Sequence, residues 1–426
     1  MPMLRRLPLF LTLIVLAAVP ALAQEHVHAF TGATLYPISG PPVENGLLVV
    51  QNGTIRYAGP MNRGEIPSGA VTHDASGQII MPGLVDTHSH IAEVAGGDGS
   101  HPLHPDVRTL DAINVRSSSI DRARAGGITT VNTMSGSGHL MSGQTTYLKL
   151  RDGRTVDDLL FCENILTDVC GGMKMANGTN SMRSAPFPGS RGKSVSMVRE
   201  LFVEGQTYCA KDVDDRGRDL RLEAICEILD GRRTVHFHTH RHDDILTTLR
   251  LKEEFGFNLV LHHVSEGWKV ADEIAAAGVP ASIIVIDSPG GKLEAMELLL
   301  FTGKMMDEAG VDVSIHTDDL ITESRIFLRS AALAVRAGMN RTSALEAMTI
   351  AGARQLGVAD RVGTLEAGKD ADFIVLSGDP LSTYTHIMQT WVEGNKLFDR
   401  ADPDDLLKAT GGYGAYDEGA AALHDH

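Results

Sequence analysis

The chain has 426 residues, of which 43% are hydrophobic, and its formal net charge is −16 at pH 7. This composition allows a large buried core and excludes a chain that is disordered throughout. The excess of acidic side chains argues against binding to nucleic acid or to anionic lipid, because both ligands are negatively charged.

Residues 1–23 have the composition of a secretory signal peptide. Arg5 and Arg6 give a positive start, an apolar run covers 7–19, and a small-residue cleavage site ends at Ala23. The apolar run is shorter than the ~20 residues that a membrane span needs. We therefore predict cleavage near Ala23 and a secreted or periplasmic mature protein that is not held in a membrane.

Four cysteines lie in the predicted mature chain: Cys162, Cys170, Cys209 and Cys226. In an oxidising compartment they allow one or two disulfides, with three pairings open, and buried free thiols are an equal alternative. None of them has the C-x-x-C spacing of a structural zinc site.

Both ends of the predicted mature chain are rich in short β segments. In 29–80, Asn52-Gly53 stands between two alternating apolar segments and predicts a hairpin. Residues 363–398 likewise consist of short predicted strands separated by turns. We therefore predict one small β-sandwich domain built from 24–80 and 363–402. Residues 403–426 read as a disordered tail.

The middle of the chain, 81–362, alternates predicted strands and helices. After a first strand at Ile79–Val85, the predicted strands are Gly127–Val131, Asp158–Ile165, Gly172–Ala176, Val235–His240, Leu259–His263, Pro280–Ile286 and Val311–Thr317. Seven or eight βα units in about 280 residues predict a (β/α)8 TIM barrel, whose active site lies at the C-terminal ends of the strands. A helix is predicted at Leu293–Ala309, before the last strand. Residues 182–218 interrupt the alternation and predict a long loop over that site.

The segment MPGLVDTHSH, Met81–His90, ends the first barrel strand with two histidines. Alternate side chains of a strand face the same way, so His88 and His90 lie on one side, about 7 Å apart at the backbone, close enough to share a metal ion. This pair alone is weak evidence, because two such histidines are equally well an exposed or hydrogen-bonded pair.

Polar residues end the later predicted strands in the same way. VHFHTHRH offers His238 as a ligand, with His240 as the alternative. LVLHH offers His262 or His263; strand alternation lets only one of them face the interior, and we choose His263. In VDVSIHTDD, Asp318 follows a strand, where a carboxylate can bind a metal and relay a proton.

Each of these residues has a simpler explanation, such as a hydrogen-bonded strand end or a helix N-cap. The order HxH, His, His and Asp on separate strands favours a metal site instead. Nitrogen and oxygen ligands in this mixture suit Zn²⁺, with Mn²⁺ or Fe²⁺ as alternatives.

The whole predicted mature chain resembles the amidohydrolase superfamily of metal-dependent hydrolases, which have a (β/α)8 barrel and a flanking β-sandwich. MPGLVDTHSH is similar to its first-strand signature, and GTLEAGKDADFIVLSGDP is similar to the closing sandwich segment of its imidazolonepropionase and prolidase-like branch. The strand-end ligands that the resemblance implies are His88, His90, His238, His263 and Asp318.

Lys174, in GGMKMANGTN, resembles the fourth-strand lysine that many binuclear members carry as a carbamate bridging two cations. Two dications close together need an anionic bridge, and a buried lysine with a lowered pKa can react with CO₂. The alternative is a lysine that forms a salt bridge or binds a substrate carboxylate. In that case the site holds a single metal ion, and His263 acts as a catalytic electrophile.

The resemblance implies a secreted hydrolase that cleaves an amide-type C–N bond of a small molecule through a metal-activated hydroxide, with Asp318 as the proton relay. A secreted enzyme in which a loop arginine or lysine binds a substrate carboxylate would fit dipeptides, N-acyl amino acids or cyclic amides. A mononuclear imidazolone-type ring hydrolase or deaminase, and an inactive barrel that serves as a binding module, are the alternatives; a homo-oligomer is left open. Candidate selectivity residues on predicted loops are His139, Gln144, Tyr147, Arg183, Arg191, Arg241 and Lys292.

Overall fold

The computed structural model describes residues 27–285 and 292–411. The predicted signal peptide, 1–23, lies outside these ranges. The strands in chain order are β1 (Val27–Leu35), β2 (Val43–Gln51), β3 (Thr54–Pro60), β4 (Val71–Asp74), β5 (Ile79–Pro82), β6 (Leu84–Ser89), β7 (Ile128–Thr133), β8 (Met141–Gln144), β9 (Thr146–Lys149), β10 (Met173–Ala176), β11 (Val235–Thr239), β12 (Leu259–His263), β13 (Ala281–Ile284), β14 (Val313–His316), β15 (Phe373–Leu376), β16 (Ile387–Val392) and β17 (Asn395–Asp399).

The α-helices are α1 (Ser118–Ala125), α2 (Val156–Leu159), α3 (Arg191–Cys209), α4 (Leu220–Leu229), α5 (His242–Phe255), α6 (Ala271–Ala276), α7 (Thr302–Glu308), α8 (Leu328–Arg336), α9 (Arg341–Ala347), α10 (Ile350–Gln355) and α11 (Pro403–Thr410). Short 3-10 turns cover Met61–Arg63, Thr109–Ala112, Gly178–Ser181, Gly267–Lys269, Leu293–Ala295 and Ser324–Ile326. Within the described ranges, no helix has the length and apolar character of a membrane span.

Strands from both chain ends share one sheet, in the order β17-β16-β15-β5-β1-β2-β3, with β4 beside β1. The predicted Asn52-Gly53 hairpin is confirmed: both residues have positive φ, 51° and 80°, and connect antiparallel β2 and β3. The core of this sheet joins the two ends of the chain, because Phe30 of β1 packs edge-on against Phe373 of β15, with ring centroids 5.0 Å apart.

The middle of the chain forms two further sheets, a six-stranded one in the order β14-β13-β12-β11-β10-β8 and a three-stranded one in the order β6-β7-β9. Strands β10 to β14 are parallel, as are β6 and β7. The described chain is therefore a mixed α/β protein in which helices follow most of the parallel strands.

The third predicted strand is wrong. The segment between β7 and β10 is β8-β9, which runs antiparallel to both neighbours. The predicted strand at Asp158–Ile165 begins instead inside α2, because the Asp158 carboxylate accepts hydrogen bonds from the Thr155 backbone N–H (2.9 Å) and hydroxyl (3.0 Å), a capping arrangement that starts a helix.

Three further segments differ from the predictions. The predicted loop at 182–218 contains the 19-residue helix α3, which buries Val198, Leu201 and Phe202. The predicted helix at Leu293–Ala309 is only a 3-10 turn followed by α7. The predicted disordered tail begins with α11, because the Asp402 side chain caps it and Pro403 suits a first helical position. Residues 412–426 of that tail lie outside the described ranges.

A buried lysine joins the middle of the chain to the sheet formed by its ends. Lys149 of β9 is fully buried, and its Nζ forms salt bridges with Asp370, with Asp372 at 3.1 Å and with Glu393 at 3.2 Å. A buried charge is stable only when it is paired, so this cluster fixes β9 against the β15–β16 region.

The four cysteines form two disulfides, Cys162–Cys170 and Cys209–Cys226. The sequence left the pairing open. Cys209 ends α3 and Cys226 lies within α4, so the second disulfide holds these two helices together.

Candidate metal centre

The candidate ligands lie at or just beyond the C-terminal ends of β6, β11, β12 and β14, and Lys174 lies within β10. Asp86, in β6, brings two of these strand ends together: its Oδ1 accepts hydrogen bonds from the backbone N–H of His88 (3.2 Å) and of Thr317 (3.1 Å), and its Oδ2 accepts one from the Thr317 hydroxyl (2.5 Å). Burial raises the pKa of Asp86 to about 7, against the effect of these hydrogen bonds. The backbone N–H of Asp318 donates to the His88 carbonyl at 2.9 Å.

Asp318 faces both histidines of the HxH pair. Its Oδ1 lies 3.3 Å from His88 Nε2 and 3.0 Å from His90 Nε2. His90 Nδ1 donates to the Met134 carbonyl at 2.7 Å, so Nε2 is the ring nitrogen that faces the same carboxylate oxygen. Three ligand atoms from His88, His90 and Asp318 lie within 4.8 Å of one another, an arrangement that a bound cation would stabilise.

The Asp318 carboxylate is ionised at neutral pH. Burial alone would raise its pKa, but the hydrogen bond and charge of His90, together with His316 and Lys174, hold the pKa of Asp318 well below its ordinary value. An anionic oxygen donor is the form in which a carboxylate binds a metal ion.

Lys174 is buried beside this group. Its Nζ lies 2.9 Å from His88 Nε2 and 3.2 Å from Met134 Sδ. Burial lowers the pKa of Lys174 to about 7, although the charge of Asp318 opposes the shift. Near neutral pH a large share of this amine is uncharged, which is the form that reacts with CO₂.

The other two predicted ligands complete the cluster. The His263 ring centroid lies 4.1 Å from that of His238 and 4.8 Å from that of His88. Burial lowers the pKa of His238 and of His263 well below the ordinary value, so both rings are neutral, as metal ligands must be. His238 Nδ1, His263 Nε2 and His88 Nδ1 are buried and have no hydrogen-bond partner among the described residues.

His262 and His263 are both buried beside His88, so the premise that only one of them can face the interior does not hold, and the choice of His263 as a ligand stays a prediction. His263 has φ 69° and Val264 has φ 41°, and this left-handed backbone breaks the alternation at the strand end. His262 Nε2 lies 2.9 Å from His236 Nδ1, and a second group of three ligand atoms comes from His88, His262 and His316.

Neither His316 nor His236 was chosen as a ligand from the sequence, although His236 shares a strand face with His238. His316 precedes Asp318 by two residues in VSIHTDD, so the strand alternation already placed them on one face. Its Nδ1 lies 2.7 Å from the Ser282 hydroxyl, and its Nε2 lies 3.4 Å from His263 Nδ1. Burial lowers the pKa of His236 and of His316 to about 3, so both rings are uncharged.

His240, the alternative to His238, lies beside the cluster. Its ring centroid is 4.6 Å from that of His238, and its Nδ1 lies 2.7 Å from the Ser265 hydroxyl. Since one nitrogen is already engaged by Ser265, only Nε2 of His240 remains for another partner.

Comparison with known proteins finds similarity to amidohydrolases. The model of the amidohydrolase family matches residues 302–397. The amidohydrolase tasK of Hapsidospora irregularis is 27% identical over 406 residues, covering 85% of this chain and 41% of its own length. The imidazolonepropionase of Bacteroides fragilis is 24% identical, covering 84% of this chain and 92% of its own. The crystal structure of an amidohydrolase from Thermotoga maritima MSB8 has a TM-score of 0.81 and 29% identity, covering 87% of this chain and all of that one.

The chain is similar to amidohydrolases over most of its length, and these likenesses support the amidohydrolase superfamily as its family. It falls on the imidazolonepropionase-like branch, which confirms the resemblance noted from MPGLVDTHSH and the 363–380 segment. It is therefore a hydrolase that acts on carbon–nitrogen bonds. The chain spans less than half of the length of the tasK relative.

A cavity of about 270 Å³ opens beside the histidine cluster of this amidohydrolase. Polar and apolar side chains share its wall, and they are His238, His240, His263, Ser265, Ile284, Lys292, Ala295, Leu298, Asp318 and Ile321. The cavity thus joins the candidate ligands to an apolar surface, which is the arrangement expected of a small-molecule site.

Of the seven candidate selectivity residues, Lys292 alone lines this cavity. The Tyr147 hydroxyl lies 2.8 Å from His236 Nε2, so Tyr147 supports the histidine cluster and does not stand on a loop. Arg191 and Arg241 form salt bridges with Asp244 and Asp243. The remaining three bond backbone carbonyls: His139 that of Asp98, Gln144 that of Pro105 and Arg183 that of Gly138.

Proposed function

We propose that this amidohydrolase uses bound metal to hydrolyse an amide-type C–N bond in a small molecule. The observation that carries the proposal is the convergence of His88, His90 and Asp318, with Lys174 2.9 Å from His88. Family membership supplies the reaction type, and the donor atoms suit Zn²⁺, with Mn²⁺ or Fe²⁺ as alternatives.

The residues that would hold the metal are His88, His90, Lys174, His238, His263 and Asp318. Their fit to a cation rests on the neutral buried rings, the ionised carboxylate and the buried nitrogens that lack a hydrogen-bond partner. A carbamate on Lys174 would supply the anion that two neighbouring dications require. When bound, the metal supplies Lewis acidity, which lowers the pKa of water toward ~7 and polarises a carbonyl.

Asp318 is the residue placed to move the proton. Its Oδ1 faces the HxH pair, whereas its Oδ2 has no partner among the described residues, and its side chain lines the cavity. Oδ2 can therefore accept a proton from the attacking water and pass it to the leaving nitrogen. Ile284, Leu298 and Ile321 give the same cavity an apolar wall.

The similarity to imidazolonepropionases favours a second candidate, a ring hydrolase or deaminase with one metal ion. In that version Lys174 is not a ligand, and His263 contacts the substrate as an electrophile. The two versions differ in the number of metal ions bound per chain.

We further propose that the two inner sheets form one (β/α)8-type barrel, with the outer sheet as a flanking sandwich built from 24–80 and 363–402, and with the barrel covering 81–362. The hydrogen bond from the Asp318 backbone to the His88 carbonyl supports this, because it joins the ends of β14 and β6. The antiparallel β8-β9 segment supports it as well, because it pairs with strands of both inner sheets.

We also propose that the protein is exported. The signal-like composition of 1–23 and the two disulfides support this, because disulfides persist mainly in oxidising compartments. Mass spectrometry of the protein from its native host would test the proposal. Export predicts that the N-terminus of the mature chain lies near Gln24.

A substrate screen on the metal-loaded protein tests the proposed reaction. Dipeptides, N-acyl amino acids and cyclic amides would be compared with an imidazolone and with amino-substituted purines. Release of an amine or ring opening is the expected result, while turnover of the purines alone would favour the deaminase. The absence of C–N hydrolysis across the whole panel would contradict the proposal.

A further inference from the structure

We propose that Lys292 and Asn180 form a subsite for a substrate carboxylate on the leaving-group side of the scissile C–N bond. This inference rests on the proposed hydrolysis of a C–N bond at the same site. It names the substrates as amides of α-amino acids that have a free carboxylate and a compact apolar side chain.

The first argument concerns the surroundings of the Lys292 ammonium group. Lys292 is half-buried, lines the cavity and points its Nζ at Asn180 Oδ1 (2.6 Å) and His238 Nε2 (3.5 Å). Among the described residues, no carboxylate forms a salt bridge with Lys292. Placing an unpaired cation in a partly desolvated cavity costs free energy, and an anionic ligand would offset that cost.

Asn180 contacts Lys292 but is not among the residues that line the cavity, and it offers a second donor beside the ammonium group. Its Oδ1 accepts from Lys292, and its Nδ2 has no hydrogen-bond partner among the described residues. An ammonium and an amide N–H that lie side by side match the two oxygens of a carboxylate.

Both donors are held in position by a buried carboxylate. Glu294 accepts hydrogen bonds from the Thr179 backbone N–H at 2.9 Å and from its hydroxyl at 2.7 Å, and it also pairs with Arg191. Thr179 is the residue before Asn180, and Glu294 is two residues after Lys292. The contact between Thr179 and Glu294 therefore limits how far Asn180 and Lys292 can move apart. Preorganised donors bind an anion with less loss of conformational freedom.

The position of Lys292 identifies which carboxylate it would bind. Its Nζ is close to His238, a candidate ligand, and both line one cavity with Asp318. The carboxylate must therefore lie near the reacting bond. In an N-acyl amino acid or dipeptide the α-carboxylate is attached to the carbon next to the scissile nitrogen, which satisfies this requirement.

The rest of the cavity limits the side chain of the leaving amino acid. Ile284, Ala295, Leu298 and Ile321 give it an apolar wall, and its volume is about 270 Å³. A compact aliphatic residue such as leucine fits this description better than a long charged residue, whose burial would be costly.

Matched substrates test the inference on the metal-loaded full chain. N-acetyl-L-leucine has the carboxylate, N-acetyl-L-leucinamide lacks the charge, and N-succinyl-L-leucinamide carries a carboxylate on the acyl side. Hydrolysis would be measured for the wild type, Lys292→Met, Lys292→Gln and Asn180→Ala. Lys193→Met serves as the control, because Lys193 is a lysine on α3 whose side chain is 53% exposed.

We expect Lys292→Met and Lys292→Gln to lower kcat/KM for N-acetyl-L-leucine by about 10- to 100-fold, the loss expected for a charge-assisted contact. The leucinamide should change by less than about threefold, and Lys193→Met should leave both unchanged. An equal loss on the acid and the amide would overturn the inference. So would a loss confined to the succinyl substrate, because it would place the carboxylate on the acyl side.

Calorimetry separates this inference from the proposed reaction. N-acetyl-L-leucine and its amide would be titrated into metal-loaded Asp318→Asn protein, with and without Lys292→Met. Tighter binding of the acid that disappears with Lys292→Met supports the subsite even if the wild type hydrolyses none of the substrates. Equal binding of the acid and the amide to Asp318→Asn overturns the subsite even if hydrolysis is observed.

Discussion

Asp318→Asn separates the proton relay from the metal-binding cluster. The amide has the size of the carboxylate, but it cannot accept a proton at the Oδ2 position. Since proton transfer by a positioned side chain contributes about 10²- to 10⁴-fold to the rate, we expect kcat to fall by that factor. This corresponds to about 3–5 kcal/mol of transition-state stabilisation.

The neighbouring Asp319 offers a matched control. Asp319 is buried, and its Oδ2 accepts hydrogen bonds from the Ser324 backbone N–H (3.0 Å) and hydroxyl. In Asp319→Asn the amide oxygen can keep both bonds, so we expect activity within about threefold of the wild type and stability within about 1 kcal/mol.

The assay for both variants combines steady-state kinetics on a substrate found in the screen with metal analysis of the same protein sample. Asp318→Asn should keep its metal at saturating Zn²⁺, because five of the six candidate ligands remain. If Asp318→Asn retained more than a tenth of the wild-type kcat, or if Asp319→Asn lost as much activity as Asp318→Asn, the relay role would be refuted.

Four further predictions concern metal binding and stability. Lys174→Met should bind at most one metal ion per chain, measured by elemental analysis, because the bridging anion is lost. Lys149→Met should lower the free energy of unfolding by about 3–5 kcal/mol in urea titrations at pH 7, since it leaves the buried carboxylate of Asp372 without an ion pair, whereas Asp370 and Glu393 keep arginine partners. Burial alone would raise the pKa of Glu393, but Arg151 and Lys149 lower it to about 2; its contribution to thermal stability should therefore be complete above pH 4.5 and be lost as the pH falls from 4.5 toward 2. Replacing both cysteines of the 209–226 disulfide by serine should cost about 3 kcal/mol by the same urea titration.

Surface lysines provide the controls. Lys304→Met removes an exposed pair with Glu308 and should change the unfolding free energy by at most ~1 kcal/mol. An effect as large as that of Lys149→Met would contradict the argument from burial. Lys193→Met should keep the wild-type metal content, and loss of metal there would undermine the interpretation of Lys174→Met.

Part of the metal-binding cluster could be predicted from the sequence because it depends only on the alternation of side chains along a strand and on polar residues that follow apolar strands. His88 and His90 are two residues apart on one strand, and the strand period alone places them together. Asp318 follows an apolar strand directly. The family resemblance was needed to recognise Lys174, since a single lysine on a short strand has no pattern of its own.

The histidine pair on β12 shows where strand alternation fails. The rule excluded either His262 or His263, but the left-handed backbone at His263 turns both rings inward. Such a conformation at a residue other than glycine depends on tertiary contacts. The left-handed backbone at His263 therefore could not be predicted from the sequence alone.

The antiparallel β8-β9 segment and helix α3 were missed for another reason. β8 and β9 contain Ser, Gly, Gln and Thr beside few large apolar residues, and α3 begins with Arg-Gly-Lys-Ser, so neither has a strong periodic pattern. The β8-β9 segment forms because it pairs with β7 and β10. Helix α3 is stabilised by the burial of Val198, Leu201 and Phe202. Long-range packing decides both.

Metal content and metal dependence test the central claim most directly. Purified wild-type protein would be analysed for bound metal, stripped with a chelator and then reloaded with Zn²⁺, with C–N hydrolysis measured at each stage. The account predicts about two ions per chain, loss of activity on stripping and its return on reloading. One ion per chain would contradict the Lys174 bridge, and hydrolysis that persists in metal-free protein would contradict the metal centre itself.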